Sequence, residues 1–213
     1  MQVIDQEKWA RRDHFRVYGS LEYPHFGITV DLDVTGLLPS LKEAGLPVFP
    51  TIIHAAATAA NEIEEFRTRI RGDQVVLHET AAPSFTVPWK EGLFTFCAVT
   101  YEPDRDRFLE RCLAEMARAE AAASLVEVGA FRDDVLYMTC FPWMAFTGMT
   151  HPTRPNDSIP RFAWGKITSK DGRDVLPFNL QMHHGLADGV HAARFLTRLE
   201  GLLQAVGREV STR

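Results

Sequence analysis

The sequence has few cysteines and no long apolar run, and each shortage excludes a class of protein. It contains three cysteines, Cys97, Cys112 and Cys140, with no C-x-x-C pair. An odd, widely spaced set argues against a disulfide framework or a zinc knot and predicts buried, reduced thiols in a cytoplasmic protein. No apolar run reaches the roughly 18 residues that a membrane span needs, and the opening residues lack a signal-peptide stretch. We therefore expect no membrane partner.

An excess of positive charge is also missing, and so are repeats and linkers. The net charge of −5 argues against nucleic acid as a partner. Hydrophobic residues make up 46% of the chain and charged residues 24%, which is typical of a globular domain. Without an internal repeat, a low-complexity segment or a Gly/Ser linker, we expect residues 1–213 to form one domain.

Hydrophobic periodicity predicts a mixture of helices and strands. The predicted helices cover 5–18, 35–45 (with Thr35 as its cap and Gly45 as its end), 50–66, 103–123 and 187–206. The predicted strands cover 26–34, 66–70, 74–79, 84–89, 94–101, 135–143, 161–168 and 175–184. Because strands and helices do not alternate regularly, we expect an α/β two-layer sandwich (α+β) with a large mixed β-sheet covered by helices.

The segment "LPFNLQMHHGLADGVHAARF" concentrates the residues best suited to chemistry. On one continuous helix, His184, Asp188 and His191 would share a face and suit a metal ion. The apolar run before them has strand length, however, and Gly185 and Gly189 disfavour a helix interior. We therefore predict a strand, a tight corner and a helix starting near Asp188, and no metal. The plainer alternative is that these histidines are hydrogen-bonded and inert, with His191 on the exposed side of the last helix.

A histidine at such a corner has the properties of a general base. Neutral imidazole accepts a proton near neutral pH, provided that one tautomer is held with its lone pair toward the substrate. Asp188 would fix the corner through a charge pair, because a buried carboxylate without a partner is costly. An arginine elsewhere in the chain should therefore meet Asp188.

The motif "HHGLADG" resembles the HHxxxDG pattern of the chloramphenicol acetyltransferase family, and four stretches, one of which contains this motif, resemble its non-hexapeptide members. They are "WARRDHFRVY" at the start, "EFRTRIRGDQVVLHETAAPSFTV", "FPWMAFTG" and "QMHHGLADGVHAARFLTRL". The likeness runs from about residue 9 to 205. The resemblance implies an acyltransferase that moves an acetyl group from acetyl-CoA directly to a hydroxyl of a small molecule. It also implies a homotrimer with interfacial sites.

By this resemblance, His184 is the general base and His183 is structural. Asp188 pairs with Arg11, which follows the N-terminal tryptophan. No acyl-enzyme is implied, which fits the absence of a G-x-S-x-G nucleophile motif. Lys166 is expected near the CoA phosphates, with a solvated lysine as the alternative. The expected acceptor pocket, which could instead be plain core, consists of Tyr18, Phe26, Thr86, Phe96 and Ala98.

Two expected hydroxyls of the family are missing near the cofactor. The serine that hydrogen-bonds the oxyanion is replaced by Gly148, and a nearby threonine by Ala163. Losing one oxyanion donor typically costs about 10²–10³ in turnover. Either Thr147 or a backbone N–H supplies this contact, or the enzyme is slow, or its substrate differs. Glu22 in the pocket region suggests an acceptor more polar than chloramphenicol. A biosynthetic acyltransferase with another acyl donor and a degenerate binding protein remain as alternatives.

Overall fold

The computed structural model describes residues 1–125, 132–154 and 156–210. Within these residues the helices are α1 (Arg12–Gly19), α2 (Leu37–Glu43), α3 (Val48–Asn61), α4 (Arg105–Glu120) and α5 (Gly189–Val210). The strands are β1 (Gln2–Val3), β2 (His25–Asp33), β3 (Thr68–Arg71), β4 (Gln74–Leu77), β5 (Ala82–Trp89), β6 (Leu93–Ala98), β7 (Val135–Phe141), β8 (Arg161–Gly165), β9 (Thr168–Lys170) and β10 (Arg173–His183). Among the described helices, none is both long and apolar enough to cross a membrane.

Most of the described strands form one mixed sheet of seven, which confirms the predicted fold class. Its order is β2-β10-β8-β7-β5-β6, with β9 beside β10. β10 runs antiparallel to β2 and β8, whereas β7 runs parallel to β5 and β8. A separate sheet in the order β1-β4-β3 was not anticipated from the sequence.

One face of the large sheet is covered by helices and forms the core. Phe162, Trp164 and Phe178 project into it from the two central strands, and each is at most 1% exposed. Phe195 of α5 stacks on Phe162 with ring centroids 4.8 Å apart. Burial of each such side chain contributes roughly 1.5–3 kcal/mol. The apolar residues at alternate strand positions therefore fix which face of the sheet meets the helices.

The opposite face carries a row of small and polar side chains. Alternation along each strand places them on the face away from the core. Strand register sets Phe96 opposite Thr86, and Ala163 between Thr139 and Asn179. The row across the sheet reads Phe96, Thr86, Thr139, Ala163, Asn179 and Thr29. At Thr86, Phe96 and Thr139 this face is only half-buried, and a ligand can meet the sheet there.

A buried arginine joins the small sheet to the large one. Arg69 of β3 is fully buried and donates to the carbonyls of Phe66, Thr68, Asp133 and Val135. Burial lowers the pKa of this guanidinium to about 10, so it remains charged at neutral pH. Four carbonyl acceptors replace the water that the charge has lost.

Several predicted helix boundaries were wrong for local reasons. The opening helix begins at Arg12 and not at residue 5, because the Asp5 carboxylate accepts the N–H of Glu7 in a tight turn. Thr35 does not cap α2, since its hydroxyl donates to Asp33 instead. Gly45 does follow the end of α2, with a φ of +65°.

The long alanine-rich helix also ends earlier than predicted. α3 stops at Asn61, whose side chain donates to the carbonyls of Ala57 and Ala81 and accepts the N–H of Ala81. A short 3-10 turn at Glu64–Phe66 follows, and it places Phe66 in the core against Phe195. A long-range contact therefore overrides local helix propensity here.

Candidate active site

The chain turns sharply between β10 and α5, as the glycine-flanked motif predicted. β10 ends at His183, and Asp188 caps α5 by accepting the N–H of Val190 over 3.1 Å. A Cβ at Gly185 would lie 3.0 Å from the His183 ring and 3.2 Å from Cα of Phe15. Glycine at this position therefore lets α1 pack directly against the corner.

His184 is held in one tautomer by a backbone carbonyl. Its Nδ1 lies 3.0 Å from the carbonyl oxygen of Ala187, and its backbone N–H donates to Pro24 over 2.7 Å. A carbonyl oxygen only accepts hydrogen bonds, so Nδ1 carries the proton and Nε2 keeps a lone pair. This is the state that a general base needs before the reaction begins.

Two aromatic rings fix the plane of the His184 ring. Tyr18 stacks on it with centroids 4.0 Å apart and an interplanar angle of 17°. Phe26 lies at 4.8 Å with an angle of 46°. Both had been predicted to line an acceptor pocket, and the structure places both directly against the imidazole.

Arg11 and Asp188 form the ion pair that the burial argument requires. Arg11 Nη1 lies 2.8 Å from Asp188 Oδ2, with side chains 12% and 33% exposed. Partial burial alone raises the pKa of Asp188, but the hydrogen bonds from Arg11 and Val190 and the nearby charges outweigh it and lower the pKa to about 2. Arg11 also donates to the backbone carbonyls of His184 and Gly185. The guanidinium thus ties α1 to the residue that carries the imidazole.

His191 does not lie on the exposed side of α5, contrary to one of the alternatives. It is 8% exposed, and its Nδ1 lies 2.9 Å from Oδ1 and 3.1 Å from the backbone nitrogen of Asp188. Its Nε2 lies 3.2 Å from the Glu65 carboxylate. In the part of the chain that the structure describes, no three His, Cys, Asp or Glu side chains converge as a metal site requires.

His183, the first histidine of the pair, faces inward. It is 2% exposed, and its Nδ1 accepts the N–H of Gly185 over 3.1 Å. Burial, with the nearby His25 and His184, lowers its pKa to about 4. A ring that is hidden and neutral at physiological pH fits a structural role better than proton transfer.

The cysteines offer no competing nucleophile. Cys97 and Cys112 are buried as predicted, whereas Cys140 is half-buried. Burial raises the pKa of the first two thiols to about 12 and that of Cys140 to about 11. All three therefore stay as thiols at neutral pH, and the thiolate is the reactive form.

A cavity of about 490 Å³ opens on the ligand-accessible face of the sheet. Thr86 and Phe96 line it, as predicted, together with Thr139 and His151, which the sequence reasoning missed. Its volume is in the range of drug-sized ligands. The other predicted pocket residues, Tyr18, Phe26 and Ala98, are not among the described residues that line it. Within one chain, the five predicted residues are therefore not brought together.

His151 carries a weak sequence signal. It stands in the loop segment "THPT", with no periodicity to mark it. The stronger hint is in β10, where Asn179 and Gln181 interrupt an otherwise apolar strand and need polar partners once buried. Glu22, expected in the pocket region, is exposed and does not line the cavity in this part of the structure.

The residues predicted on the cofactor side lie around the end of β8. Thr147 and Gly148 are exposed on the loop after β7, and Lys166 is exposed directly after β8. The N–H of Lys166 donates to the carbonyl of Met144 over 2.8 Å. A Cβ at Gly165 would lie 2.7 Å from that carbonyl oxygen, so the glycine permits the loop to pack there. Ala163, by contrast, is fully buried.

Comparisons with known proteins point to one family. A family model described as chloramphenicol acetyltransferase matches residues 1–200. Chloramphenicol acetyltransferase 2 of Escherichia coli is 32% identical over 200 residues, covering 92% of this chain and 94% of that protein. A chloramphenicol acetyltransferase of Streptomyces acrimycini is 32% identical over 206 residues, covering 94% and 93%. A solved chloramphenicol acetyltransferase superposes with a TM-score of 0.82 at 29% identity, covering 95% and 99%. These matches confirm the resemblance found in the motifs.

Proposed function

Because the chain belongs to the chloramphenicol acetyltransferase family and is an acyltransferase, we propose that it transfers an acetyl group from acetyl-CoA to a hydroxyl of chloramphenicol or a related small molecule. The observation that carries the proposal is the 3.0 Å contact between His184 Nδ1 and the carbonyl of Ala187. In the neutral ring this contact leaves the lone pair on Nε2, and Tyr18 and Phe26 lie against the imidazole.

His184 acts as the general base in this proposal. Nε2 takes the proton of the acceptor hydroxyl as that oxygen forms a bond to the thioester carbonyl carbon. The tetrahedral intermediate then collapses, the carbon–sulfur bond breaks, and the departing thiolate receives the proton from the imidazolium. No serine or cysteine is acylated on the way. Such base catalysis typically contributes about 10²–10⁴ in rate.

Arg11 and Asp188 support this step without contacting the reacting atoms. Arg11 holds both the Asp188 carboxylate and the carbonyls of His184 and Gly185. Their role is to keep the corner rigid, so that Nε2 stays within reach of a hydroxyl. A misplacement of about 1 Å can cost about 100-fold in rate.

We assign Lys166 to the phosphates of acetyl-CoA and Thr147 to the oxyanion. Lys166 is an exposed cation beside the loop that carries Thr147 and Gly148. Gly148 has no side chain that could donate a hydrogen bond. The nearest hydroxyl along the chain is that of the neighbouring Thr147, so we assign the oxyanion contact to it. Donors of this kind stabilise the developing negative charge.

We also propose that the active unit is a homotrimer. The base lies against Tyr18 and Phe26, whereas Thr86 and Phe96 line a cavity that none of these three residues borders. If the base of one subunit faces the cavity of its neighbour, the two halves of the predicted pocket come together. Sedimentation or light scattering of the purified protein would measure the number of subunits.

The direct test of the chemistry measures thiol release from acetyl-CoA in the presence of chloramphenicol and other hydroxyl acceptors. We expect His184→Ala to lower kcat about 10²–10⁴-fold. His54→Ala is the matched control, because His54 is half-buried in α3 and its Nε2 contacts the carbonyl of Glu102 on the helix side of the sheet. Full turnover by His184→Ala would overturn the base assignment.

A biosynthetic acyltransferase is the second candidate, and the glycine and alanine at positions 148 and 163 favour it. It predicts a preference for a longer acyl-CoA or for an acceptor unrelated to chloramphenicol. Comparing kcat/KM across acyl chain lengths and acceptors would separate the two candidates. CoA binding without turnover on any acceptor would instead favour a degenerate binding protein.

A further inference from the structure

We propose that His151 is a specificity-determining residue of the cavity lined by Thr86, Phe96 and Thr139, and that its ring Nδ1 accepts a hydrogen bond from a second donor group of the acceptor. The second donor is a hydroxyl or N–H other than the hydroxyl that is acetylated. This inference rests on the proposed acetyl transfer and narrows its acceptor to molecules that carry both groups.

The backbone of His151 is clamped by β10. The N–H of His151 donates to Gln181 Oε1 over 3.0 Å, and Gln181 Nε2 reaches the carbonyl of His151 at 3.5 Å. Gln181 is 4% exposed. These hydrogen bonds fix the position of a loop residue relative to the sheet. Specific recognition requires side chains that are held in this way.

The ring of His151 is oriented by Asn179. The amide Nδ2 of Asn179 donates to Thr29 Oγ1 over 2.9 Å and to the carbonyl of Met149 over 3.2 Å. Its Oδ1 is therefore the atom that faces His151 Nε2, at 3.1 Å. An amide oxygen only accepts, so Nε2 carries the ring proton and Nδ1 is left with a lone pair. Asn179 is 1% exposed, which leaves this arrangement little freedom to change.

The ring also stays neutral in the pH range where the enzyme would work. Burial lowers the pKa of His151 to about 4, and the charge of Arg161 acts in the same direction, while the hydrogen bond with Asn179 opposes them. Nδ1 therefore remains an acceptor at neutral pH. A donor on a bound molecule can pair with it without competition from a ring proton.

The cavity gives this lone pair a discriminating environment. His151 shares the wall with Phe96, and with Thr86 and Thr139, whose hydroxyl oxygens lie 3.4 Å apart. A bound molecule that displaces water from Nδ1 without supplying a donor leaves a buried acceptor unpaired. Sites built to pair a polar group reject analogues that lack it more strongly than apolar pockets reject a missing methylene.

Asn179 and Gln181 have no part in the base mechanism. Holding His151 in place explains why these two polar side chains are buried here. Both are nearly fully buried on the strand that leads to His184, between apolar residues that face the core. Their side-chain hydrogen bonds converge on the loop from Met149 to His151. Arg161 also lines the cavity, but a guanidinium only donates, so it cannot accept the hydrogen bond that we assign to His151 Nδ1.

The test compares chloramphenicol with two analogues, one lacking the secondary hydroxyl and one methylated at the amide nitrogen. We expect the wild-type protein to lose about 10- to 100-fold in kcat/KM on one of the two analogues. In His151→Leu the three acceptors should differ by less than about 3-fold. His151→Gln, which restores an acceptor oxygen, should recover part of the discrimination. His54→Leu applies the same change on the helix side of the sheet and should leave the discrimination as in the wild type.

Equilibrium binding of the same three acceptors, measured by calorimetry, separates this inference from the proposed reaction. Discrimination in Kd that disappears in His151→Leu supports the inference even if no thiol is released, in which case only the acetyl transfer fails. Equal turnover of all three acceptors by the wild type overturns the inference and leaves the transfer intact. Undiminished discrimination in His151→Leu, with a wild-type melting curve, also overturns it.

Discussion

The corner that carries His184 and the cavity that contains His151 are both organised by β10, yet the two regions are built differently. At the corner, the tautomer of His184 is set by a chain neighbour, because Nδ1 is bonded to Ala187 three positions away, while Tyr18 and Phe26 pack against the ring. At the cavity, His151 is fixed by Asn179 and Gln181, which lie 28 and 30 positions further along the chain. The tautomer of one histidine is therefore set locally, and that of the other by tertiary contacts.

This difference assigns the chemical step to the corner and the selection of the acceptor to the cavity. The tautomer of the base is set within the corner, and the packing of its ring depends on Tyr18 and Phe26. The cavity wall is assembled from several strands and a loop, so a substitution in any of them changes its shape or polarity. We therefore expect changes at the corner to affect kcat for every acceptor, and changes at the cavity to affect mainly which acceptor is used.

The largest effect is expected when a variant that lacks the base and a variant with a blocked cavity are produced together. His184→Ala removes the base, and Thr86→Trp fills the cavity. Each variant alone should retain at most about 1% of wild-type activity. Coexpression should restore about one quarter of wild-type activity, because random trimers place an intact base against an intact cavity at about one site in four.

The matched control for that experiment is coexpression of His184→Ala with the double variant His184→Ala/Thr86→Trp, which offers no intact base. It should show no recovery. A failure of the first pair to recover, with mixed trimers demonstrated by tag exchange, would mean that base and cavity do not meet between subunits.

A smaller, opposite effect is expected on the cofactor side. A Cβ at Gly148 meets nothing within 4 Å, so a side chain fits there. Gly148→Ser should raise kcat about 10-fold or more by supplying an oxyanion donor. Gly148→Ala adds the same Cβ without the hydroxyl and should leave kcat unchanged. Equal rates for the serine and alanine variants would show that a second donor at position 148 adds nothing to the one that we assign to Thr147.

Loosening the corner should cost stability as well as rate. Asp188→Asn leaves the Arg11 guanidinium, which is 12% exposed, without its carboxylate. Because Asp188 itself keeps some solvent contact, we expect a loss of about 1–3 kcal/mol in the free energy of unfolding. The rate should fall for all acceptors alike. A loss confined to one acceptor would place Asp188 in substrate selection instead.

The same pair predicts the direction of the acid response. The pKa of Asp188 is lowered from 3.8 to about 2 on folding, so its contribution to stability is complete above about pH 4 and is lost as the pH falls toward 2. Urea unfolding at several pH values should show this loss in the wild type and a flatter profile in Asp188→Asn. Parallel profiles would show that the ion pair does not contribute to the loss of stability in acid.

The smallest effect is expected within the cavity. Thr139→Val keeps the shape but removes one of two hydroxyls that face each other over 3.4 Å. We expect KM for chloramphenicol to change by about 2- to 5-fold with kcat nearly constant, since no reacting atom loses a partner. A loss in kcat larger than about 10-fold would show that the cavity hydroxyls take part in the reaction. The corner and the cavity would then not differ in function as we expect.

Local patterns predicted the parts of the protein whose contacts are close in sequence. The apolar strand, the glycine corner and the helix after Asp188 could be deduced from residues 175–206, because strand and helix periodicity and helix capping are local properties. The need for an arginine partner followed from the cost of an unpaired carboxylate. The motif resemblance then assigned the partner to Arg11, which the structure places 2.8 Å away.

Other features depended on residues far apart along the chain. The early end of α3 follows from the contact of Asn61 with Ala81, and the buried position of His191 follows from Glu65. The proton of His184 is placed by a carbonyl whose direction depends on how the corner folds. The proton of His151 is placed on Nε2 because Asn179, whose amide nitrogen donates to Thr29, turns its oxygen toward the ring. The sequence alone determined which elements form and which chemistry the corner supports. Only the tertiary structure decided which nitrogen of His151 is free, because its partner lies on a distant strand and is set by register and packing and not by spacing along the chain.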